Sequence, residues 1–372
     1  MKFLHTADWQ IGMKAAHAGI ASTRVREARI ESAKRVIEIA RREGADFILL
    51  AGDTFESNAI DRHAVQKVGD IMGSFDGPVF VLPGNHDPLE IGSVWDHPVW
   101  DSHSNIHIAC EARPFELASG LLYPCPVVSA ARSDKQDPTA WIVGNRGETF
   151  RIGLAHGSVE GDPAVSGWFP IARDSAGRSG LDYLALGHWH STTTYRDRSG
   201  AIRMAYSGTH ETTSFGERDS GNVLIVTIAE PGANPEIQAI ASGVLSWRSV
   251  EEAVTEQRQL TNIRTAVETM DATQSALIQI RLRGLLFADE AAEISRLEEI
   301  VCSRFLHGSV DASGLLPAPA DEEWVSGLPA GFLRVAGMKL RELANSDSDS
   351  NKRAIAARAL RDLYALKSEV SV

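Results

Sequence analysis

ADFILLAGD (residues 45–53) and PVFVLPGNHD (residues 78–87) read alike: an uninterrupted apolar run, then glycine, then polar residues. The run at 47–50 is a buried strand that delivers Asp53 at its carboxyl end, and the second run is another, ending in Asn85-His86-Asp87. Helical patterns precede both. Within 22–43, Val25, Ala28, Val36 and Ala40 fall near helical spacing with charges between them, and a second helical stretch covers about 62–75. Strands alternating with helices predict a mostly parallel α/β sheet, whose ligand-binding edge lies at the carboxyl ends of the strands.

Working outward, residues 2–7 form a short strand that stops at the polar turn Asp8-Trp9-Gln10. FRIGLAHG (150–157) ends at His156, and LDYLALGHWH (181–190) ends at His188 and His190. Five strand ends therefore carry polar side chains. Residues 202–206 and 223–229 read as further strands that close the sheet system near position 240.

The whole chain is 372 residues, 43% hydrophobic and 23% charged, enough for two or three domains with a buried core. With 49 Asp+Glu against 37 Lys+Arg the net charge is −12, which argues against a simple basic nucleic-acid clamp. It does not exclude phosphate substrates, because bound metal ions supply positive charge locally. Cys110, Cys125 and Cys302 are isolated, with no CxxC pair, so neither a disulfide framework nor a thiolate zinc site is supported and a reducing cytoplasm fits. Asp8 interrupts any apolar leader and no 18-residue apolar run follows, so the expectation is a cytosolic protein without a membrane span.

Asp8, Gln10, Asp53, Asn85, His156, His188 and His190 are oxygen or imidazole donors, each placed where a strand ends. This donor inventory is what two divalent ions require. One carboxylate, Asp53, can bridge both ions, while imidazole and amide donors complete each shell. His188 and His190 share a face if extended, or splay toward different ions in a turn. Two clamped ions acidify a bridging water to hydroxide near neutral pH, so the expected chemistry is hydrolysis at phosphorus. His86 is placed to protonate the leaving oxygen or stabilise developing charge, and Asp87 either orients its ring or stabilises the turn.

Together, Asp8-x-Gln10, Gly52-Asp53, Gly84-Asn85-His86-Asp87, His156-Gly157 and Gly187-His188-x-His190 resemble the five-motif signature of the calcineurin-like metallophosphoesterases. The opening LHTADWQIG (4–12) and the later YSGTHETTSFGE (206–217) are similar to the DNA-repair branch, the SbcD-type and Mre-type nucleases. The resemblance covers about residues 1–240. It implies a two-sheet αββα sandwich followed by a smaller α+β capping region that helps to hold DNA. It also implies two manganese ions, one held by Asp8, Asp53 and His190 with Gln10 in the fourth position, the other by Asp53, Asn85, His156 and His188, with His86 as catalytic acid. Gln10 departs from the His usual in SbcD-type enzymes and resembles a stand-alone bacterial subgroup, MPE. Its amide either ligates a metal directly or hydrogen-bonds a metal-bound water. His210 is read as either supporting the site or solvent-exposed, Trp189 as packing between ligands, and His5 as packing below Asp8.

The expected domains are a catalytic domain over 1–245, a capping domain over 246–320 and C-terminal amphipathic helices over 321–372. Residues 248–270 and 288–304 read as helices, 275–283 (SALIQIRLR) as a half-buried strand and 313–320 as a linker. Residues 334–367 hold eight Lys/Arg and four acids, either a solvated face or a surface for nucleic acid or a partner. The leading expectation is a manganese-dependent DNA nuclease of repair, a single-strand endonuclease, with the choice between endonuclease and exonuclease action left open by the sequence. The alternatives are a phosphodiesterase or phosphatase for cyclic nucleotides or other small substrates, and the nuclease subunit of an SbcC-type ATPase complex, docked through the C-terminal helices.

Overall fold

Phe47–Ala51 is a strand in which every residue is buried. Its side chains alternate: Phe47, Leu49 and Ala51 enter one apolar layer, Ile48 and Leu50 the layer on the opposite face. Burial on both faces explains why the run lacks polar residues.

The structure is a computed structural model that describes residues 1–129, 136–161, 169–197, 199–271, 273–319 and 322–370. It divides into two units, Met1–Ser246 and Trp247–Val372. Among the described residues the first unit begins with β1 (Lys2–Thr6), α1 (Ser22–Glu43), β2 (Phe47–Ala51), α2 (Arg62–Gly73), β3 (Val79–Leu82), α3 (Val99–Ser102) and β4 (Ile106–Ile108). It continues with β5 (Phe115–Leu117), β6 (Gly120–Cys125), β7 (Phe150–His156), α4 (Ser175–Arg178), β8 (Tyr183–Gly187), β9 (Thr193–Arg196), β10 (Ile202–Tyr206), β11 (Asn222–Thr227) and β12 (Glu236–Ala241).

These strands form two sheets, ordered β12-β11-β1-β2-β3-β4 and β5-β6-β7-β8-β10-β9. The expectation of a mostly parallel sheet holds only at their centres. β1 to β4 run parallel, as do β6, β7, β8 and β10, while β11, β12, β5 and β9 add antiparallel edges. The sheets stack through Phe3, Phe47, Leu49 and Phe80 on one side and Leu122, Ile152, Leu154 and Tyr183 on the other. Phe3 stacks on Phe47 with centroids 4.9 Å apart and meets Tyr183 edge-on at 5.6 Å, so one aromatic cluster ties the layers together. α1 and α2 cover the outer face of the first sheet, placing Val36, Ile37, Val68 and Met72 against Leu4, Ile48, Leu50 and Val81. α4 and adjoining loops cover the second sheet through Ala176, Ile142 and Ile171. Two large sheets flanked by helices give the α/β sandwich that the motifs imply.

The second unit comprises β13 (Ser246–Val254), α5 (Gln259–Glu268), β14 (Ala276–Leu286), α6 (Ala291–Arg304), β15 (His307–Pro317), α7 (Phe332–Ser346) and α8 (Ser350–Val370). Two expectations are corrected here. Residues 248–254 are not helical: β13 pairs with β14, and Glu251 bridges Arg281 and Arg283 at 3.1 and 3.3 Å across the strands. Sheet pairing overrides the local helix preference of Glu-Glu-Ala-Val. Residues 313–317 are not a linker but the end of β15, with Gly314, Leu315 and Leu316 opposite Arg283, Gly284 and Leu285; residue 320 lies outside the described residues. α5 and α6 pack Leu260, Val267, Leu297 and Val301 against Ile278, Ile280 and Leu282. α7 and α8 meet where Gly337 is small enough to face Leu363, over a small core of Val325, Leu328 and Leu360. No helix among the described residues is long and apolar enough to cross a membrane.

Candidate active site

The five polar strand ends belong to two sheets, and the stacking brings them together. β1, β2 and β3 deliver Asp8, Gln10, Asp53 and Asn85 from the first sheet, whereas β7 and β8 deliver His156, His188 and His190 from the second. Beyond the strands the backbones stay in register: Asp8 N donates to Gly52 O at 3.0 Å and Gln10 N to Asp53 O at 2.9 Å. Hydrogen bonds also cross between the sheets. His188 N donates to both oxygens of Asp8 at 3.1 Å, and His156 Nδ1 to Ala51 O at 2.9 Å.

Close approach dictates the glycines. A Cβ on Gly52, whose φ is +91°, would collide with the His156 ring, and one on Gly187 would strike the Ala51 carbonyl. Asp8, Gln10, Asp53 and His188 themselves hold φ values of 52°, 41°, 49° and 108°. Such non-glycine conformations cost about 1–3 kcal/mol each and concentrate where a site needs its side chains aimed.

One donor set is tightly gathered. The ligand atoms of Asp53, His156 and His188 lie within 4.8 Å of one another. Asn85 Oδ1 lies 2.8 Å from His156 Nε2 and 3.0 Å from His188 Nδ1. Because His156 donates its Nδ1–H to Ala51, the neutral ring turns an electron pair at Nε2 toward Asn85 Oδ1 and toward Asp53 Oδ2, 3.3 Å away. Electron pairs converging on one point need a cation between them. In the metal-free protein a proton serves: burial lowers the His156 pKa, but the Asp53 and Asp8 carboxylates outweigh it and hold it at about 9. A divalent ion fits the same donors.

Asp8, Gln10 and His190 form the second group. Burial, reinforced by the Asp53 charge, pushes the Asp8 carboxyl up to about 6 even though His156 and His190 oppose it. Asp53 goes the other way, to about 2, because His156 and His86 outweigh its burial. Gln10 Nε2 lies 3.1 Å from His190 Nε2. Its amide thus reaches the ring electron pair that a metal would take.

His86 is 38% exposed and projects into a cleft of about 560 Å³ that Gln10, Asp53, His188 and His190 also line. Its Nδ1–H donates to Glu56 O at 3.0 Å, which leaves Nε2 on the side of Asp53, 4.0 Å from Oδ2. Asp87 does not orient this ring. It is fully buried, and its two oxygens accept from Gly84 N at 2.7 Å and Phe55 N at 2.9 Å, so it pins two loops of the site together. Both oxygens are already engaged by backbone.

His210 is buried rather than solvent-exposed, donating to Arg29 O at 2.8 Å and stacking on Trp9. His5 bridges the sheets from below: Nε2–H donates to Leu186 O at 3.1 Å and Nδ1 accepts from Tyr183 at 3.0 Å. Trp189 packs on the core of the second sheet while lining the cleft. Two residues were not read from the sequence. Arg29 of α1 is buried and donates to the Trp9, Asp8 and Glu211 carbonyls, clamping the Asp8-Trp9-Gln10 turn. Glu217 accepts from His190 Nδ1 at 2.9 Å.

A family model, the calcineurin-like phosphoesterases, matches residues 1–192. The chain belongs to this family. Over 288 residues it is 28% identical to the uncharacterized metallophosphoesterase YhaO of Bacillus subtilis, covering 72% of this chain and 67% of that protein. Among solved structures it is similar to TT1561 of Thermus thermophilus, with a TM-score of 0.41, 12% identity, and 65% of this chain and 98% of the other covered. A dimetal phosphatase from Danio rerio matches with a TM-score of 0.37 and 12% identity, over 65% of this chain and 99% of the other. As a member of the family, the protein is a metal-dependent phosphoester hydrolase, and Asp53, His156 and His188 form a possible metal site.

Proposed function

We propose that this hydrolase is a manganese-dependent DNA nuclease of repair, cutting single-stranded DNA internally in the cytoplasm. The observation that carries the reading is the place of residues 206–217. The segment whose sequence resembles the DNA-repair branch supplies Glu217 to His190 and rims the cleft with Ser214, Phe215 and Gly216. An open cleft of this kind suits a deformable strand, and the net charge of −12 argues against broad duplex binding.

Asp53, Asn85, His156 and His188 would hold one ion, and Asp8, Gln10 and His190, sharing Asp53, the other. Mixed oxygen and imidazole donors suit manganese, and such ions supply Lewis acidity and an acidified water. The chain's own groups do the rest. His188 N and Arg29 fix the Asp8 turn, the Ala51 carbonyl and Glu217 set the tautomers of His156 and His190, and the Glu56 carbonyl leaves His86 Nε2 to carry a proton to the leaving oxygen.

Purified protein with manganese, magnesium or zinc, offered circular single-stranded DNA, linear duplex and an aryl phosphodiester, tests this directly. Cleaved circles are the expected result, since a circle has no end. Hydrolysis of the aryl ester with both DNAs intact would instead establish a small-substrate phosphodiesterase. A partner reading also has an observation in its favour. Phe332, Leu333 and Val335 on α7 are 84%, 52% and 67% exposed, which suits docking of an SbcC-type ATPase, and solution mass with and without such a subunit tests it.

A further inference from the structure

Glu217 is held as firmly as the residues it supports. Its Oε2 accepts from Thr213 N at 2.8 Å, and Oε1 accepts from the Thr213 hydroxyl, from Ser214 Oγ at 3.4 Å and from His190 Nδ1 at 2.9 Å. The residue is only 12% exposed at its side chain. Its anchor is tied down in turn: His17 Nε2 donates to the Thr213 carbonyl at 2.9 Å.

An ionised carboxylate only accepts, so His190 must carry its ring proton on Nδ1. The electron pair then sits at Nε2, where Gln10 approaches at 3.1 Å and where the cleft opens. Among the described residues, the other group near Nδ1 does not set the tautomer: Thr213 Oγ1 lies 3.3 Å away, and its hydroxyl proton is already given to Glu217.

We infer that Glu217 is a positioning residue for the ion held by Asp8, Gln10 and His190, fixing the His190 tautomer and ring orientation and making Nε2 a stronger donor. It acts on one of the two sites. His156, Asn85 and His188 take their orientation from Ala51 and from each other, and Asp53 accepts from His86 N at 2.9 Å; none of these bonds involves Glu217. The inference rests on the two-metal reading of the cleft.

Manganese titration of the full chain by calorimetry, with the free-ion electron paramagnetic resonance signal as a second readout, tests it. The wild type should take up two ions. Glu217→Ala should weaken one by about 10–100-fold and leave the other unchanged. Glu217→Gln, whose amide oxygen still accepts from Nδ1–H but carries no charge, should fall between them and guards against a variant that fails to fold. In a His190→Ala background, Glu217→Gln should have no further effect. Wild type that binds no manganese would defeat the two-metal reading itself. Two ions bound equally well in wild type and folded Glu217 variants, or both weakened alike, would overturn the role given to Glu217 alone.

Discussion

His86 Nδ1 is spent on the Glu56 carbonyl, and its Nε2 is the atom free to serve a leaving group. His86→Ala should therefore keep manganese affinity while slowing cleavage of an alkyl phosphodiester about 10²–10⁴-fold, the usual scale for a lost general acid. An aryl ester, whose leaving group needs no proton, should be slowed far less; equal losses on both esters would remove His86 from that role. His5 makes a prediction about pH. Burial drives its pKa down to about 3, although its bond to Leu186 opposes the shift. The unfolded chain thus binds a proton near pH 6.5 that the folded one refuses, and stability falls as pH drops from 6.5 toward 3. Between pH 7 and 5 this single group should cost about 2 kcal/mol, so His5→Gln should lose about that much less over the same interval in urea unfolding. At this scale the strand-end donors were legible because chain order and residue type reveal them. The turn-stabilising reading of Asp87 was legible too, since Gly84 N lies three residues away, but Arg29 and Glu217 were not, because their partners are backbone groups or a side chain 20 or more residues away, which no local spacing encodes.

Within the elements, fold and site are separable. Leu50 is fully buried in β2 on its helix-covered face, so Leu50→Ala should destabilise by about 2–5 kcal/mol while the folded fraction still binds manganese. Gly187→Ala pushes a methyl into the Ala51 carbonyl, where the two sheets meet beside His156 and His188. Overpacking costs about 1–3 kcal/mol, but here it spreads the donors apart, so metal binding should be lost at a stability cost no larger than that of Leu50→Ala. Parallel titrations and melts of the two variants check both; retained binding in Gly187→Ala would show that the sheet contact does not set the site. The buried strands were readable because a run closed on both faces leaves only apolar residues. β13 and β15 were misread because Ser246–Val254 and His307–Pro317 are half-exposed, and a partner strand distant in sequence, not local preference, decides their state.

For the molecule as a whole, the net charge of −12 matters less than where two of the acids lie. Asp8 and Asp53 are buried, and among the described residues neither pairs with a lysine or arginine. Metal-free protein therefore carries a strained charge. Asp8, raised to about 6 by burial and then by Asp53, favours the folded state fully only below its unfolded pKa, and that contribution is lost as pH rises from about 4 through 6. By pH 8 the loss is on the order of 3 kcal/mol. Asp8→Asn keeps an oxygen for the His188 amide and suits the left-handed backbone at φ 52°, yet removes the charge. With chelator at pH 8 this variant should melt above the wild type. Manganese should close most of that gap, because an ion at 100 times its Kd adds about 2.7 kcal/mol to a chain that binds it, and the asparagine variant, which binds it less well, gains less. Calorimetric melts of both proteins with EDTA and with saturating manganese decide the matter. An asparagine variant less stable than wild type under chelator would mean that Asp8 is not strained, and an equal manganese shift in both would take Asp8 out of the metal site.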